Sequence, residues 1–177
     1  LAGVLAAGPA MAQDYYPRHN FTFGGGAGRP QADLRGLFSD SPGLTFGYGY
    51  RFHPNFQADV GLDVLFGAAD IIDYFDAGFG PLRIRDREFL LPFGGRAILP
   101  FFRGRFLLSG GGGGVFMRYA ESLRQPSDYF RVACPVCNAR NGWGYYALVN
   151  TSLFLDRGRH FRLGVTSKMY RGHSDGD

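Results

Sequence analysis

The two cysteines of this chain, Cys134 and Cys137, stand in a C-x-x-C arrangement, a spacing found in several redox and metal-binding motifs. A thioredoxin-like motif lies beside a βαβ unit, which the flanking sequence does not suggest, and haem attachment needs a histidine where this chain has Asn138. A structural zinc site needs two further ligands, and no second C-x-x-C supplies them. If the chain is exported, the spacing favours a short-range disulfide over a metal or redox site or free thiols.

A second group of residues with chemical potential consists of charged side chains on strand-like segments. Paired carboxylates could perform acid–base chemistry, and Asp59 and Asp63 lie four residues apart, with His160 as a candidate partner in an enzyme of the cell envelope. What these charges do depends on the elements that position them. The group is Arg51, Asp59, Asp63, Glu88, Arg96, Arg162 and Lys168.

The clearest of those elements is residues 43–66, GLTFGYGYRFHPNFQADVGLDVLF. Apolar and polar residues alternate in two runs, and a period of two places them on opposite faces of a strand. Between the runs, His53-Pro54-Asn55 carries a proline, which suits a chain reversal. The stretch therefore predicts a long antiparallel hairpin with one apolar and one polar face.

Similar patterns predict seven strands in all. Five consecutive glycines, Gly110–Gly114, lie within one of them and lack the Gly-Lys-Ser/Thr ending of a phosphate-binding loop. We expect these glycines to face a crowded interior or to pack against aromatic rings of a neighbour. The other strands are predicted at residues 20–28, 87–99, 106–119, 142–155 and 160–170.

Strand length and loop rhythm favour a membrane barrel over a soluble one. Each run of the hairpin spans about 9–11 residues, enough to cross a bilayer at a tilt, whereas soluble strands average about 5–6. Long connections at 29–42, 67–86 and 120–141 alternate with short turns, as the extracellular loops and periplasmic turns of outer-membrane barrels do. In such a barrel the apolar face meets lipid and the charged residues line the interior.

Composition and the N-terminus agree with an exported single domain. The 177 residues carry 16% aromatic and 19% charged residues, and the net charge of +4 comes from scattered arginines, which gives no nucleic-acid footprint. LAGVLAAGPAMA, residues 1–12, ends in an A-x-A cleavage signature and predicts the remnant of a signal peptide. Residues 13–177 would then form the barrel domain.

Together, the alternating runs, the turn YRFHPNF at residues 50–56 and the signal-like segment resemble the small outer-membrane β-barrel superfamily that includes OmpA, OmpX and OmpW. The resemblance spans residues 20–170 and implies an antiparallel up-and-down transmembrane β-barrel of eight strands. Only seven strands are predicted here, and single-chain bacterial barrels have an even number. We therefore expect the eighth strand to follow Asp177.

These observations predict a non-enzymatic outer-membrane protein with no cofactor and no metal site. An eight-stranded barrel is filled by its own side chains, so the seven charged residues are expected to form an interior ion-pair network. The resemblance implies that function lies in the three long loops, through an extracellular partner or the envelope itself. The alternative is a soluble periplasmic carrier of small apolar ligands, similar to a lipocalin, with its aromatic face turned inward. The residues expected to face lipid are Phe46, Tyr48, Tyr50, Val60, Leu62, Val64, Phe89, Leu91, Phe93, Tyr145, Val149, Leu153, Phe161, Leu163 and Val165.

Overall fold

The computed structural model describes residues 16–29, 40–66, 74–76, 81–123, 137 and 139–174. Over these residues the chain forms β-strands and no helix, which confirms the predicted all-β class. The strands are β1 (His19–Gly28), β2 (Ser41–His53), β3 (Phe56–Phe66), β4 (Tyr74–Asp76), β5 (Pro81–Phe101), β6 (Phe106–Leu123), β7 (Ala139–Phe154) and β8 (Arg162–Ser174).

Seven of these strands form one antiparallel sheet in the order β1-β2-β3-β5-β6-β7-β8. These seven strands pair in chain order, and β3 pairs with β5 because β4 lies off this path and pairs only with the first three residues of β5. The sheet curls into a half-barrel, consistent with an up-and-down β-barrel. Its two edges are β1 and β8. An eighth strand after Asp177 lies outside the described residues and stays a prediction.

Several strands extend beyond their predicted ends, so the loop boundaries at 29–42, 67–86 and 120–141 were wrong. Residues 81–86 belong to β5, where they pair with β4 and with the end of β6. Residues 171–174, which lie beyond the predicted end of the last strand at residue 170, continue β8 opposite residues 142–145 of β7. The strands continue beyond the segments in which apolar and polar residues alternate, because backbone hydrogen bonding between strands needs only amide and carbonyl groups in register. The centres of the three loops lie outside the described residues.

The two faces of the curled sheet differ in polarity. Lys168 on β8 reaches Asp63 on β3, although three strands lie between β3 and β8 in the sheet order, so the polar side chains point into the concave side. Large apolar side chains cover the convex side and are exposed there, among them Phe46, Val60 and Val149. Val64 shares that face but is only 9% exposed, since Leu44 and Phe89 lie opposite it on both neighbouring strands.

Close backbone packing explains the glycine run in β6. A Cβ atom at Gly113 would lie 2.6 Å from Cα of Gly94 on β5, and one at Gly114 would meet the Phe93 ring. The expected aromatic neighbour is therefore found at Gly114, whereas the crowding at Gly113 comes from the backbone of the adjacent strand β5 and not from side chains in the interior. Without side chains at these positions, β5 and β6 approach each other closely in the middle of the wall.

Two small apolar clusters interrupt the polar concave face. Leu90, Val115, Tyr146 and Leu148 form one in the middle of the sheet, with Met117 and Tyr170 packed against it. Ile98, Leu107 and Phe154 form the other near the short turns. The charged groups lie beside these clusters and are correspondingly shielded from water.

Candidate functional site

The first charged group on the concave face is built around Asp59 of β3. Arg96 of β5 donates from Nε to Asp59 Oδ2 at 2.6 Å, and Gln57 donates from Nε2 to Asp59 Oδ1 at the same distance. The residues paired with Asp59 on β2 and β5 are both glycines, Gly49 and Gly94. A Cβ at Gly49 would collide with Gln57 and Asp59, so this glycine makes the room in which the two side chains meet.

The second group is built around Asp63, four residues further along the same face of β3. Lys168 Nζ lies 2.8 Å from Oδ1 and 2.7 Å from Oδ2, and it also donates to Thr45 at 3.2 Å. The hydroxyls of Thr45 and Tyr170 donate to the same carboxylate. Asp63 is 7% exposed. Because β2 and β3 lie far from β8 in the sheet order, these bonds tie opposite parts of the curled wall together across its interior.

The other three predicted members are placed differently. Arg51 is buried, donates from Nε to the carbonyl of Pro54 at 3.0 Å and lies over the Tyr16 ring at 4.9 Å. Arg162 begins β8 and lies close enough to Arg96, Asp59 and Arg51 to interact with them electrostatically. Glu88 shares the concave side of β5 with Leu90 and contributes to the field at Tyr170. The predicted network therefore divides into two centres, with Arg51 bound to the β2–β3 turn.

Sequence analysis missed Thr45, Gln57 and Tyr170 as partners. All three lie on the polar side of alternating strands, so their facing could be found by counting. Tyr170 is separated by an even number of residues from Arg162 and Lys168, which were expected to face the interior. The partners themselves depend on sheet register and curvature, which the alternation does not encode.

Each of the two groups surrounds a single aspartate with hydrogen-bond donors. Each aspartate accepts from one cation and at least one neutral donor, which satisfies buried charge. His160, considered as an enzymatic partner for Asp59 and Asp63, instead binds Asp156 in the β7–β8 turn, with Nδ1 at 3.0 Å from Oδ2. This geometry can stabilise the curled sheet by linking its strands, and its side chains occupy the concave side.

Of the two cysteines, only Cys137 lies within the described residues. Cys134 lies outside the described residues, so the disulfide with Cys137 stays a prediction. Within the described ranges, no group of three or more His, Cys, Asp or Glu side chains is arranged to hold a metal ion.

Comparison with known proteins identifies no relative: no family model, curated protein or solved structure matches this chain. Among the described residues, no helix has the length and apolar character needed to cross a membrane.

Proposed function

We propose that this protein is a non-enzymatic outer-membrane β-barrel whose convex face meets lipid and whose interior is closed by its own side chains. The observation that carries the proposal is the inverted polarity of the sheet. Ion pairs lie on the concave side, while residues such as Phe21, Phe93 and Val165 stand exposed on the convex side at 80%, 47% and 75%.

This exposure is costly in water and favourable in a bilayer. Soluble monomers rarely expose contiguous apolar patches above a few hundred Å², whereas a lipid-facing barrel wall needs an apolar band about 25 Å tall. The strands suit that band, since the seven strands of the wall are 10–21 residues long and about 9–11 residues cross a bilayer at a tilt. A lipid bilayer would thus explain the exposure of apolar residues over the whole convex face.

The same polarity argues against a soluble carrier of apolar ligands. Such a carrier turns apolar and aromatic side chains into a cavity. Here the concave side holds the Asp59 and Asp63 centres, and the aromatic rings of Phe46 and Phe93 point the other way. The concave side therefore combines two small apolar clusters with buried ion pairs, and it lacks the aromatic lining expected of such a carrier among the described residues.

The long loops are the proposed site of surface function. They join the strands at the end opposite the short turns, in segments 29–40, 67–80 and 124–138, after correction for the observed strand ends. In the proposed orientation they face the cell exterior. Any extracellular partner would be recognised by these loops, because in this proposal the outer surface of the wall contacts lipid and the interior is filled by ion-paired side chains.

Electrophoresis of the refolded chain tests the proposal. We expect the protein to require detergent for solubility, to fractionate with the outer membrane, and to migrate differently on a denaturing gel before and after boiling. A chain that is soluble without detergent and shows no change in migration would contradict the proposal.

A further inference from the structure

The short-turn end of the sheet is strongly basic. It comprises residues 16–19, 51–56, 101–106 and 154–161, where the described strands begin or end on one side. Asp156 is the one acidic residue in these ranges, and its carboxylate already accepts from the backbone of His160 and Phe161. At the opposite end, charges of both signs mix, as in the exposed pair Arg29–Asp40. The exposed arginines of the short-turn end are Arg18, Arg103, Arg105 and Arg157, and Arg159 is half-buried.

Two of the turns are packed into one unit. Arg159 in the β7–β8 turn donates from Nη2 to the carbonyl of Arg103 in the β5–β6 turn at 2.7 Å. The amide of Phe154 donates to the carbonyl of Arg105 at 2.9 Å. These two bonds join the two turns that carry Arg103, Arg105, Arg157 and Arg159, and the side chains of Arg103, Arg105 and Arg157 are exposed.

The β5–β6 turn is conformationally unusual. Phe102 and Arg103 have φ angles of 51° and 59°, and the amide of Gly104 donates to the carbonyl of Phe101 at 3.0 Å. Two left-handed central residues define a type I′ turn, for which Asn-Gly is favoured. Side chains with a Cβ pay for this conformation, and such strain clusters at functional positions. The turn thus has an aromatic and a cationic residue at its two central positions, where neither residue type is favoured.

Apolar side chains surround the arginines at this level. Phe102 is 81% exposed, and Leu155 and Phe161 are 65% and 72% exposed. Aromatic residues are typical of the two rims of a membrane barrel, and guanidinium groups extend from apolar surfaces toward the headgroups. A basic patch rimmed by exposed apolar residues fits a phosphate-bearing lipid surface better than a fully polar polyanion.

We propose that the basic short-turn end binds the phosphate groups of anionic phospholipids in the leaflet that surrounds it. Arg103, Arg105 and Arg157 supply the charge, Arg159 holds the two turns together, and Phe102 inserts beside the headgroups. This inference rests on the proposed membrane location. It adds a lipid preference to the end of the barrel that the proposed function leaves without a role.

The test compares two triple variants with equal net charge. In one, Arg103→Gln, Arg105→Gln and Arg157→Gln neutralise the short-turn end. In the control, Arg118→Gln, Arg140→Gln and Arg171→Gln neutralise three exposed arginines near the long loops. Each folded barrel is titrated in detergent with phosphatidylglycerol or phosphatidylcholine of the same acyl chains, and bound lipid is measured by native mass spectrometry.

We expect the unmodified barrel and the control to prefer phosphatidylglycerol, and the short-turn variant to lose about a hundredfold of that preference, since each arginine near an anionic surface contributes about fivefold. Equal binding of the two lipids by the unmodified barrel, or equal losses in both variants, would overturn the inference. Competition by inorganic phosphate would also overturn it in favour of a free-anion site.

A second variant guards against misfolding. Phe102→Asn with Arg103→Gly installs the residues that the turn favours, so we expect a higher unfolding midpoint together with a weaker preference for phosphatidylglycerol. A higher midpoint with unchanged lipid preference would contradict the assignment to this turn. A chain that needs no detergent would instead contradict the membrane proposal, so the two failures are distinguishable.

Discussion

Asp63 carries the densest set of contacts on the concave face. It is nearly buried and binds Lys168 through both carboxylate oxygens, with Thr45 and Tyr170 as additional donors. A buried ion pair with its remaining bonding capacity filled adds little by its presence but costs much when one partner is removed. The pair therefore has a large effect when it is broken.

Removing the charge of Asp63 tests this. Asp63→Asn leaves the ammonium of Lys168 without a counterion in a shielded site, and we expect a loss of about 3–5 kcal/mol in the free energy of unfolding. Urea unfolding of the refolded protein measures it. The double variant with Lys168→Met should recover most of the loss, because the uncompensated charge is gone.

The control for that experiment is Asp40→Asn. Asp40 pairs with Arg29 at 2.8 Å, but both side chains are more than half exposed, and exposed pairs contribute little. We expect its unfolding midpoint to stay close to that of the unmodified protein. Equal effects of the two substitutions would mean that the Asp63 site is not shielded.

Asp156 provides a prediction on pH. Hydrogen bonds from the amides of Phe161 and His160 lower the pKa of this carboxyl to about 2, from an ordinary 3.8. A lowered pKa in the folded state stabilises the turn above the unfolded pKa, and the contribution is lost as pH falls from about 4 through 2. Carbon NMR titration of the carboxyl should give the low value. A value near 3.8 would show that the turn does not hold the carboxylate.

At the scale of the element, the main feature of β6 is the lack of side chains along its glycine run. Gly113 opposes the backbone of β5, whereas Gly110 has its nearest neighbour, the carbonyl oxygen of Leu148, at 3.8 Å from an added Cβ. The run is therefore not uniform, although its sequence is. Only some of the five positions require the absence of a side chain.

Two alanine substitutions in the same strand test this difference. We expect Gly113→Ala to lower the free energy of unfolding by about 1–3 kcal/mol, because the methyl group meets backbone that must move. Gly110→Ala should be neutral or mildly stabilising, since it restricts only the unfolded chain. Urea midpoints of the two variants measure the contrast, and equal midpoints would contradict the packing described for β5 and β6.

The elements also mark where sequence analysis succeeds. Alternation correctly predicted which side chains of β7 and β8 point outward and which inward, including outward Val149 and inward Arg162. A strand has only two faces, so one assigned residue fixes the direction of all the others. The ends of β5 and β8 did not follow, since the added residues pair through backbone amides with no change in side-chain pattern. Strand ends are thus set by the partner strand, which a local pattern does not contain.

At the scale of the whole molecule, the candidate site depended on curvature. The residue types around Asp59 and Asp63 were predictable, as was their shared face. That Lys168 reaches Asp63 rather than a neighbour on β7 depends on how tightly the seven strands curl, and this is a collective property of the sheet. The Arg51 contact to Pro54 is likewise a property of the folded turn.

The convex face gives a prediction on the environment of the whole barrel. Val149 lies inside β7, five residues before the strand ends at Phe154, and is 57% exposed. In water, an exposed Val→Arg change is usually within about 0.5 kcal/mol of neutral, but at the middle of a bilayer arginine costs about 2–4 kcal/mol. We therefore expect Val149→Arg to lower the unfolding free energy in phospholipid vesicles by that larger amount, and a neutral result there would contradict a lipid-facing wall.

The most direct test of the proposal that the convex face meets lipid uses the single tryptophan of the chain. Trp143 lies on the convex face at 62% exposure, beside Phe93 and Phe116. In vesicles containing brominated lipid, we predict strong quenching of its fluorescence by the acyl chains and weak quenching by aqueous iodide. Strong quenching by iodide with none from the brominated lipid would place this face in water and contradict the central claim.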